Sequence, residues 1–409
     1  MSENESSVRD DDEDIGKDWK LRFFTIFAGQ ALSLFGSSLV QFALVWYLAK
    51  QTGSATLLAT ATLVAMLPQI LLGPFAGALV DRWNRRSVMI VADACIALAT
   101  LVLVILFRMG AVRVWHIYVL MGLRSCGGAF HGPAMQASTT LMVPKAQLSR
   151  VSGLNQTLQG LITIVAAPAG ALLIEVFPMQ GVLAIDIGTA IVAILPLFFF
   201  AIPQPRRADG AGNADKAGST CGAGPAAKNS YFGDLRAGLA YLRSWPGLLV
   251  LIAMAMGINF LITPVSSLIP LLITNHFRQG AMQFGLMDSS FGIGMVAGGL
   301  VLSAWGGFSR KIRTISMGIA GIGLGILFLG LAPANMFWMA LAGMVLMGLA
   351  LPFANGPLSA IIQAVVAPEM QGRVMSLLIS AATAMTPLSL AIIGPVADAP
   401  VVPAATSRP

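Results

Sequence analysis

Asp93, Arg124 and Asp186 each interrupt an otherwise apolar run, and runs of about 20 such residues are long enough to cross a bilayer. An ionised side chain at the centre of such a run costs about 2.5 to 3.5 kcal/mol on insertion scales, so it needs a partner or a wet cavity. A buried acid beside a guanidinium is a device for binding and releasing a proton. Asp93 is the expected partner of Arg124, and the competing reading is a static pair that only fixes helix register. Asp186 follows Leu183-Ala184-Ile185 and precedes Ile187-Gly188 near one end of its run. It is either a second site for a proton or a cationic substrate, or a solvated boundary residue. Glu175 and Asp288 also sit near span ends, where solvation is the expected role.

Uncharged polar residues recur at helical spacing in three other places: Gln30, Ser33, Ser37 and Gln41; Asn155, Gln159 and Thr163; Asn355, Ser359 and Gln363. Each set shares one face of a helix and is a candidate lining for an aqueous path. Hydrogen bonding between helices is the alternative use of such residues. The 21 Met and 21 Phe suit an adaptable apolar site, although lipid-facing packing accounts for most of them.

Several chemistries are excluded. Cys95, Cys126 and Cys221 share no metal-ligand spacing, and His116, His131 and His276 are scattered, so no metal or cofactor is expected. No G-x-x-x-x-G-K-[ST] loop occurs, which disfavours ATP-driven work by this chain alone and leaves a separate ATPase or outer-membrane partner open. No enzyme activity is expected. The net charge of +7 does not indicate nucleic acid, because the charges sit in alternate loops.

The elements that must position these residues follow from composition. Of 409 residues, 56% are hydrophobic and 11% charged, and the mean hydropathy is +0.79. These values describe a helical bundle in lipid. Eleven spans are expected. With the N-terminus inside, 19 of the 25 Lys and Arg lie on the cytoplasmic side, the asymmetry that the positive-inside rule requires. Residues 1–22 read as a cytoplasmic tail, 23–202 as a bundle of six spans, 203–245 as a Gly/Ala-rich linker with a short amphipathic helix at Tyr231 to Arg243, 246–397 as five further spans and 398–409 as an atypical tail.

The two bundles echo each other. Gly132-Pro133 is followed by Pro144 and Arg150-Val151, and Gly356-Pro357, 224 residues later, by Pro368 and Arg373-Val374. Two copies of one six-span plan explain this. On that plan the expected twelfth span is missing, because residues 398–409 are too short and proline-rich to cross, and the C-terminus is expected outside.

Gly73-Pro74-Phe75-Ala76-Gly77-Ala78-Leu79-Val80-Asp81-Arg82-Trp83-Asn84-Arg85-Arg86 resembles the loop signature of the major facilitator superfamily, with Asn84 in place of a glycine. The resemblance implies a conformational latch formed by Gly73, Gly77, Asp81, Arg82, Arg85 and Arg86; positive-inside anchoring alone is the simpler reading of the arginines. Ala167-Pro168-Ala169-Gly170-Ala171 is similar to the antiporter signature G-P-x-G-G, with alanine at two glycines, and makes Pro168 and Gly170 a packing or bend point. Arg124-Ser125-Cys126-Gly127-Gly128-Ala129-Phe130-His131-Gly132-Pro133-Ala134 resembles the corresponding segment of macrolide efflux proteins of the Mef type. Ala92-Asp93, Ala184-Ile185-Asp186 and Pro352-Phe353 add to that likeness, which spans about Arg22 to Pro387.

The resemblance implies an all-α facilitator fold of two pseudo-repeats in a bacterial inner membrane, exchanging a macrolide for a proton. Asp93, Arg124 and Asp186 are the implied coupling or gating residues. A multidrug, siderophore or lysophospholipid exporter is the first alternative, and a non-transporting sensor or truncated remnant the second.

Overall fold

The computed structural model describes residues 19–80, 83–144, 147–200, 202, 245–365 and 368–398. The amphipathic segment at Tyr231 to Arg243, most of the linker and both tails fall outside the described residues. All regular structure among the described residues is helical: α1 Trp19–Thr52, α2 Ala55–Val80, α3 Arg85–Arg108, α4 Val114–Met142, α5 Leu148–Val176 and α6 Met179–Phe199 precede the linker. After it come α7 Pro246–Leu271, continued by a wide π turn at Leu272–His276, then α8 Ala281–Trp305, α9 Lys311–Leu331, α10 Phe337–Val365 and α11 Pro368–Asp398. α1 starts inside the expected tail and α11 begins at Pro368, because helices extend beyond the apolar stretch that defines a span.

Ten of these helices are long and apolar enough to cross a membrane. The exception is α4, whose interior carries Arg124, Ser125 and His131. Helices satisfy every backbone group within one segment, which lipid demands. Their ends are fixed by local chemistry. Asn84 caps α3, its side chain accepting from Ser87 N at 3.3 Å. Gly306, with φ of 76°, lets the chain leave α8 through the left-handed region.

Connections alternate between two ends of the bundle. The short turns α1–α2, α3–α4, α5–α6, α7–α8 and α9–α10 share one end, here the turn end; the C-terminus of α6 and the N-terminus of α7 lie at the other, the linker end. In the first half, α2 packs on α4, α3 on α4 and α1 on α5, and the second half repeats this with α8 on α10, α9 on α10 and α7 on α11. α6 additionally closes the first half by packing on both α1 and α3. The halves meet where α5 lies on α8 and α2 on α11.

Small residues make these seams close. A Cβ on Gly285 would lie 2.8 Å from Ala167 O and 2.9 Å from Pro168 Cα, so α8 presses directly on α5. At the turn end, Phe42, Trp46, Phe277, Phe284 and Phe337 form a buried apolar layer across the halves. Phe42 stacks on Phe284 with centroids 4.7 Å apart. Beyond it, the Asp398 carboxylate at the end of α11 accepts from Ser54 Oγ at 2.6 Å, Ala55 N at 2.7 Å and Thr56 N at 2.8 Å. An anion at the N-terminus of α2 thus ties the second half to the first.

Candidate functional site

The first half holds two polar layers in its interior. In one, Arg124 on α4 forms an ion pair with Asp186 on α6, with the two side chains 9% and 0% exposed. Arg124 Nη1 also donates to Thr100 Oγ1 on α3. Asp186 accepts from Ser37 Oγ at 2.9 Å and from Thr100 Oγ1 at 2.8 Å. A carboxylate and a guanidinium taken out of water together are tolerated only with such extra hydrogen bonds. Asp186 is therefore no boundary residue, and its partner corrects the expected Asp93–Arg124 pair.

Asp93 belongs to the other layer. Gln30 Nε2 on α1 donates to Asp93 Oδ2 at 3.1 Å and to Ala193 O on α6 at 3.4 Å, while Gln30 Oε1 lies 2.7 Å from His131 Nε2 on α4. The amide so placed requires the hydrogen on His131 Nε2, which also stands 3.4 Å from Asp93 Oδ1. Gln30, Asp93 and His131 are all buried. Gln30 is thus a ligand of Asp93 rather than a cavity-lining residue.

The layers share one geometric rule. On α1, α3, α4 and α6 their members are seven residues apart: Gln30 and Ser37, Asp93 and Thr100, His131 and Arg124, Ala193 and Asp186. Seven residues are two helical turns, about 10 Å. Arg124 stands two turns from the level of Asp93, too far for pairing, and the antiparallel run of α3 and α4 brings His131 rather than Arg124 to that level. Sequence reasoning passed over His131 as scattered; its spacing of seven from Arg124, matching Asp93 to Thr100, was the signal.

Between the halves lies a cavity of about 760 Å³, lined from α1 by Ser37 and Gln41, from α5 by Gln159 and Thr163, and from α7 and α8 by Ser267 and Asp288 among others. The Phe42–Phe284 stack belongs to its lining and closes it toward the turn end. Gln159 is exposed, as is Asn155 one turn nearer the linker end. Ser37, Gln41 and Gln159 thus sit where expected, and Ser37 spans both features by touching Asp186 and the cavity. Asn155 is outside the lining. Asn355 lines a separate pocket of about 30 Å³ among α7, α9 and α10; the side chains of Ser359 and Gln363 lie outside the described residues. Asp288 corrects another expectation, since it faces this cavity instead of a span boundary.

A second cleft, about 810 Å³, runs between α3 and α4 past Cys95 and Cys126. It is larger but has no charged lining among the described residues, and the exposed Val91, Leu98 and Leu123 along it mark a lipid-facing surface.

The sequence pattern of the Major Facilitator Superfamily matches residues 26–390. The chain belongs to the major facilitator superfamily. It is similar to Macrolide efflux protein A of Streptococcus pyogenes, 34% identical over 380 residues that cover 93% of this chain and 90% of that protein. Macrolide efflux protein A of Enterococcus faecalis is 32% identical over 338 residues, covering 83% of this chain and all of that protein. Among solved structures, an inward-facing bacterial homologue of the human lysosomal transporter Spinster shares the fold, with a TM-score of 0.65 at 15% identity over 93% of this chain and 82% of that one. The chain is thus a multi-pass membrane transporter of this superfamily.

The superfamily signature at the α2–α3 turn is only partly described, since Asp81, Arg82 and the surroundings of Gly77 lie outside the described residues. A Cβ on Gly73 would meet nothing within 4 Å, so this glycine is not a close-packing point. Arg85 Nη1 donates to Ala137 O at 2.7 Å and Arg86 Nη2 to Phe198 O at 3.0 Å, bracing α3 against α4 and α6 within the first half. At the antiporter-like segment, Pro168 abuts Gly285, and a Cβ on Gly170 would come 2.9 Å from Phe42 Cδ1. The packing reading of Pro168 and Gly170 therefore has a physical basis, where α5 meets both α1 and α8.

Proposed function

We propose that the chain exports macrolides across a bacterial inner membrane in exchange for protons. The observation that carries this reading is the central cavity, closed at the turn end and bordered by a half that contains buried acid–base layers. Its volume lies within the range of about 300 to 1,000 Å³ that small-molecule sites occupy. The likeness to the two macrolide efflux proteins supports a macrolide as cargo.

The charge distribution supports one orientation of the molecule. Basic residues concentrate at the linker end, including Arg85, Arg86, Arg310, Lys311 and Arg313, so that end is cytoplasmic and the described state faces inward. The aromatic layer and the Asp398 clasp form the outer closure, and opening the halves there while closing them at the linker end exposes the cavity to the other side.

The two layers divide the coupling work. Asp93 and His131, sharing Gln30 and lacking any Lys or Arg in contact among the described residues, hold the exchangeable proton. Arg124 and Asp186 form a charge-neutral brace whose hydrogen bonds reach Ser37 at the cavity wall, and so transmit rearrangement between the proton layer and the cargo site. One charge crossing 100 mV releases about 2.3 kcal/mol, before any pH gradient is counted.

Accumulation of radiolabelled erythromycin in cells with and without the chain, and with and without a protonophore, tests both parts. Lower accumulation that is reversed by the protonophore is expected. Unchanged accumulation with the chain verified in the membrane refutes macrolide export, and export insensitive to the protonophore refutes proton coupling alone.

A further inference from the structure

Asp288 is the one ionisable side chain among the described residues lining the central cavity. Neither an ion pair nor a hydrogen bond to its carboxylate occurs among the described residues. An acid within a membrane-spanning helix with no partner is costly to retain, and such residues mark ligand or ion pathways. The surroundings also explain why it points where it does. Ser289 Oγ donates to Ile164 O at 2.5 Å, and a Cβ on Gly285 or Gly292 would crowd Ala167 and Ile164 respectively. These three residues pin one face of α8 to α5. Phe284, Asp288 and Phe291, at spacings of four and three, form the neighbouring stripe and all line the cavity.

A carboxylate with an aromatic residue one helical turn away on either side, in a cavity with no other charge among the described residues, is a receptor for one class of ligand group. Its oxygens accept a charge-assisted hydrogen bond from a protonated amine, and the aromatic lining beside it offers apolar surface to the alkyl substituents of the cation. The remaining polar lining, such as Ser37, Gln41 and Gln159, is neutral and offers hydrogen bonds without competing charge. We propose that Asp288 binds the cationic group of an amphipathic ligand, with Phe284 and Phe291 flanking it, and so selects amphipathic cations from neutral compounds of the same shape. This rests on the central cavity being the cargo site, but not on the cargo being a macrolide.

Equilibrium binding to the purified full-length protein in nanodiscs tests it with three probes: erythromycin, which carries a tertiary amine; its N-oxide, which shares the scaffold without the net charge; and tetraphenylphosphonium, a permanent cation. Wild type is expected to prefer erythromycin over the N-oxide by about ten- to a hundredfold, the ratio that one charge-assisted hydrogen bond supplies. Asp288→Asn should reduce that ratio to about one with N-oxide affinity kept, and Asp288→Glu should restore it. An undiminished preference in Asp288→Asn overturns the proposal. Should wild type bind neither macrolide form, the macrolide reading falls, and tetraphenylphosphonium decides the inference: weaker binding by Asp288→Asn supports it, and equal binding overturns it. Should the Asn variant not fold, wild type gives the answer through an apolar carbodiimide that modifies carboxyl groups. Protection of Asp288 by bound erythromycin or tetraphenylphosphonium supports the proposal, and labelling unaffected by either overturns it.

Discussion

The two halves of this transporter are built from the same helix pairings but with opposite interiors. The first half buries Asp93, Arg124, His131 and Asp186 among four helices, whereas the buried polar residues described in the second half are hydroxyl-bearing only: Ser267, Ser289, Thr314, Thr386 and Ser389. The second half instead relies on glycine seams. Gly325 and Gly343 approach so closely that a Cβ on either would lie 2.7 Å from the other's carbonyl oxygen, bringing α9 onto α10. Buried ionisable layers are the groups on which a proton could act, whereas glycine seams let helix backbones approach closely. On the proposed function, energy transduction falls to the first half and the cargo-facing acid, Asp288, to the second.

The largest expected difference between the halves is in stability. Arg124→Ala leaves Asp186 buried without its partner and should cost about 3 to 5 kcal/mol, the range for breaking a buried ion pair. Replacing both, as in Arg124→Met with Asp186→Leu, should recover much of that loss. The thermal midpoint of the detergent-purified protein checks both, and a double variant no better than the single one would show that the pair is not mutually compensating. At the seam between halves, Gly285→Val drives a branched side chain into the α5 backbone and should cost about 1 to 3 kcal/mol, the range for overpacking. Because it wedges the closed end, it should also speed modification of a cysteine placed at Ser54 by a membrane-impermeant thiol reagent in a background lacking Cys95, Cys126 and Cys221. Unchanged labelling with unchanged stability would remove that seam from the closure. Ser289→Ala in the second half removes one neutral hydrogen bond and should cost only about 1 kcal/mol by the same thermal measurement. A loss as large as that of Arg124→Ala would erase the contrast between the interiors. Asn84→Ala, which removes the α3 cap, should likewise cost about 1 kcal/mol.

The helices and the repeat were legible in the sequence because apolar length and loop charge are local properties. Partner choice was not, since it depends on how each helix is rotated and offset. Arg124 lies on the helix next in sequence to Asp93, yet it pairs with Asp186, 62 residues away. Neutral residues hid the arrangement further: Gln30 looked like pore lining and Thr100 carried no signal of its own, but both complete the charged layers. Asp288 was misread for a related reason. Its distance from the helix start suggests a boundary, while the rotation imposed by Gly285 and Ser289 turns it into the cavity.

Proteoliposomes with an imposed pH gradient test the coupling assignment most directly. Wild type should accumulate erythromycin uphill under the gradient and also perform drug-for-drug counterflow without one. Asp93→Asn and His131→Gln should lose the gradient-driven accumulation while keeping counterflow, because the cargo path survives when the proton site does not. Gradient-driven accumulation at the wild-type level in both variants would contradict the placement of the exchangeable proton between Asp93 and His131.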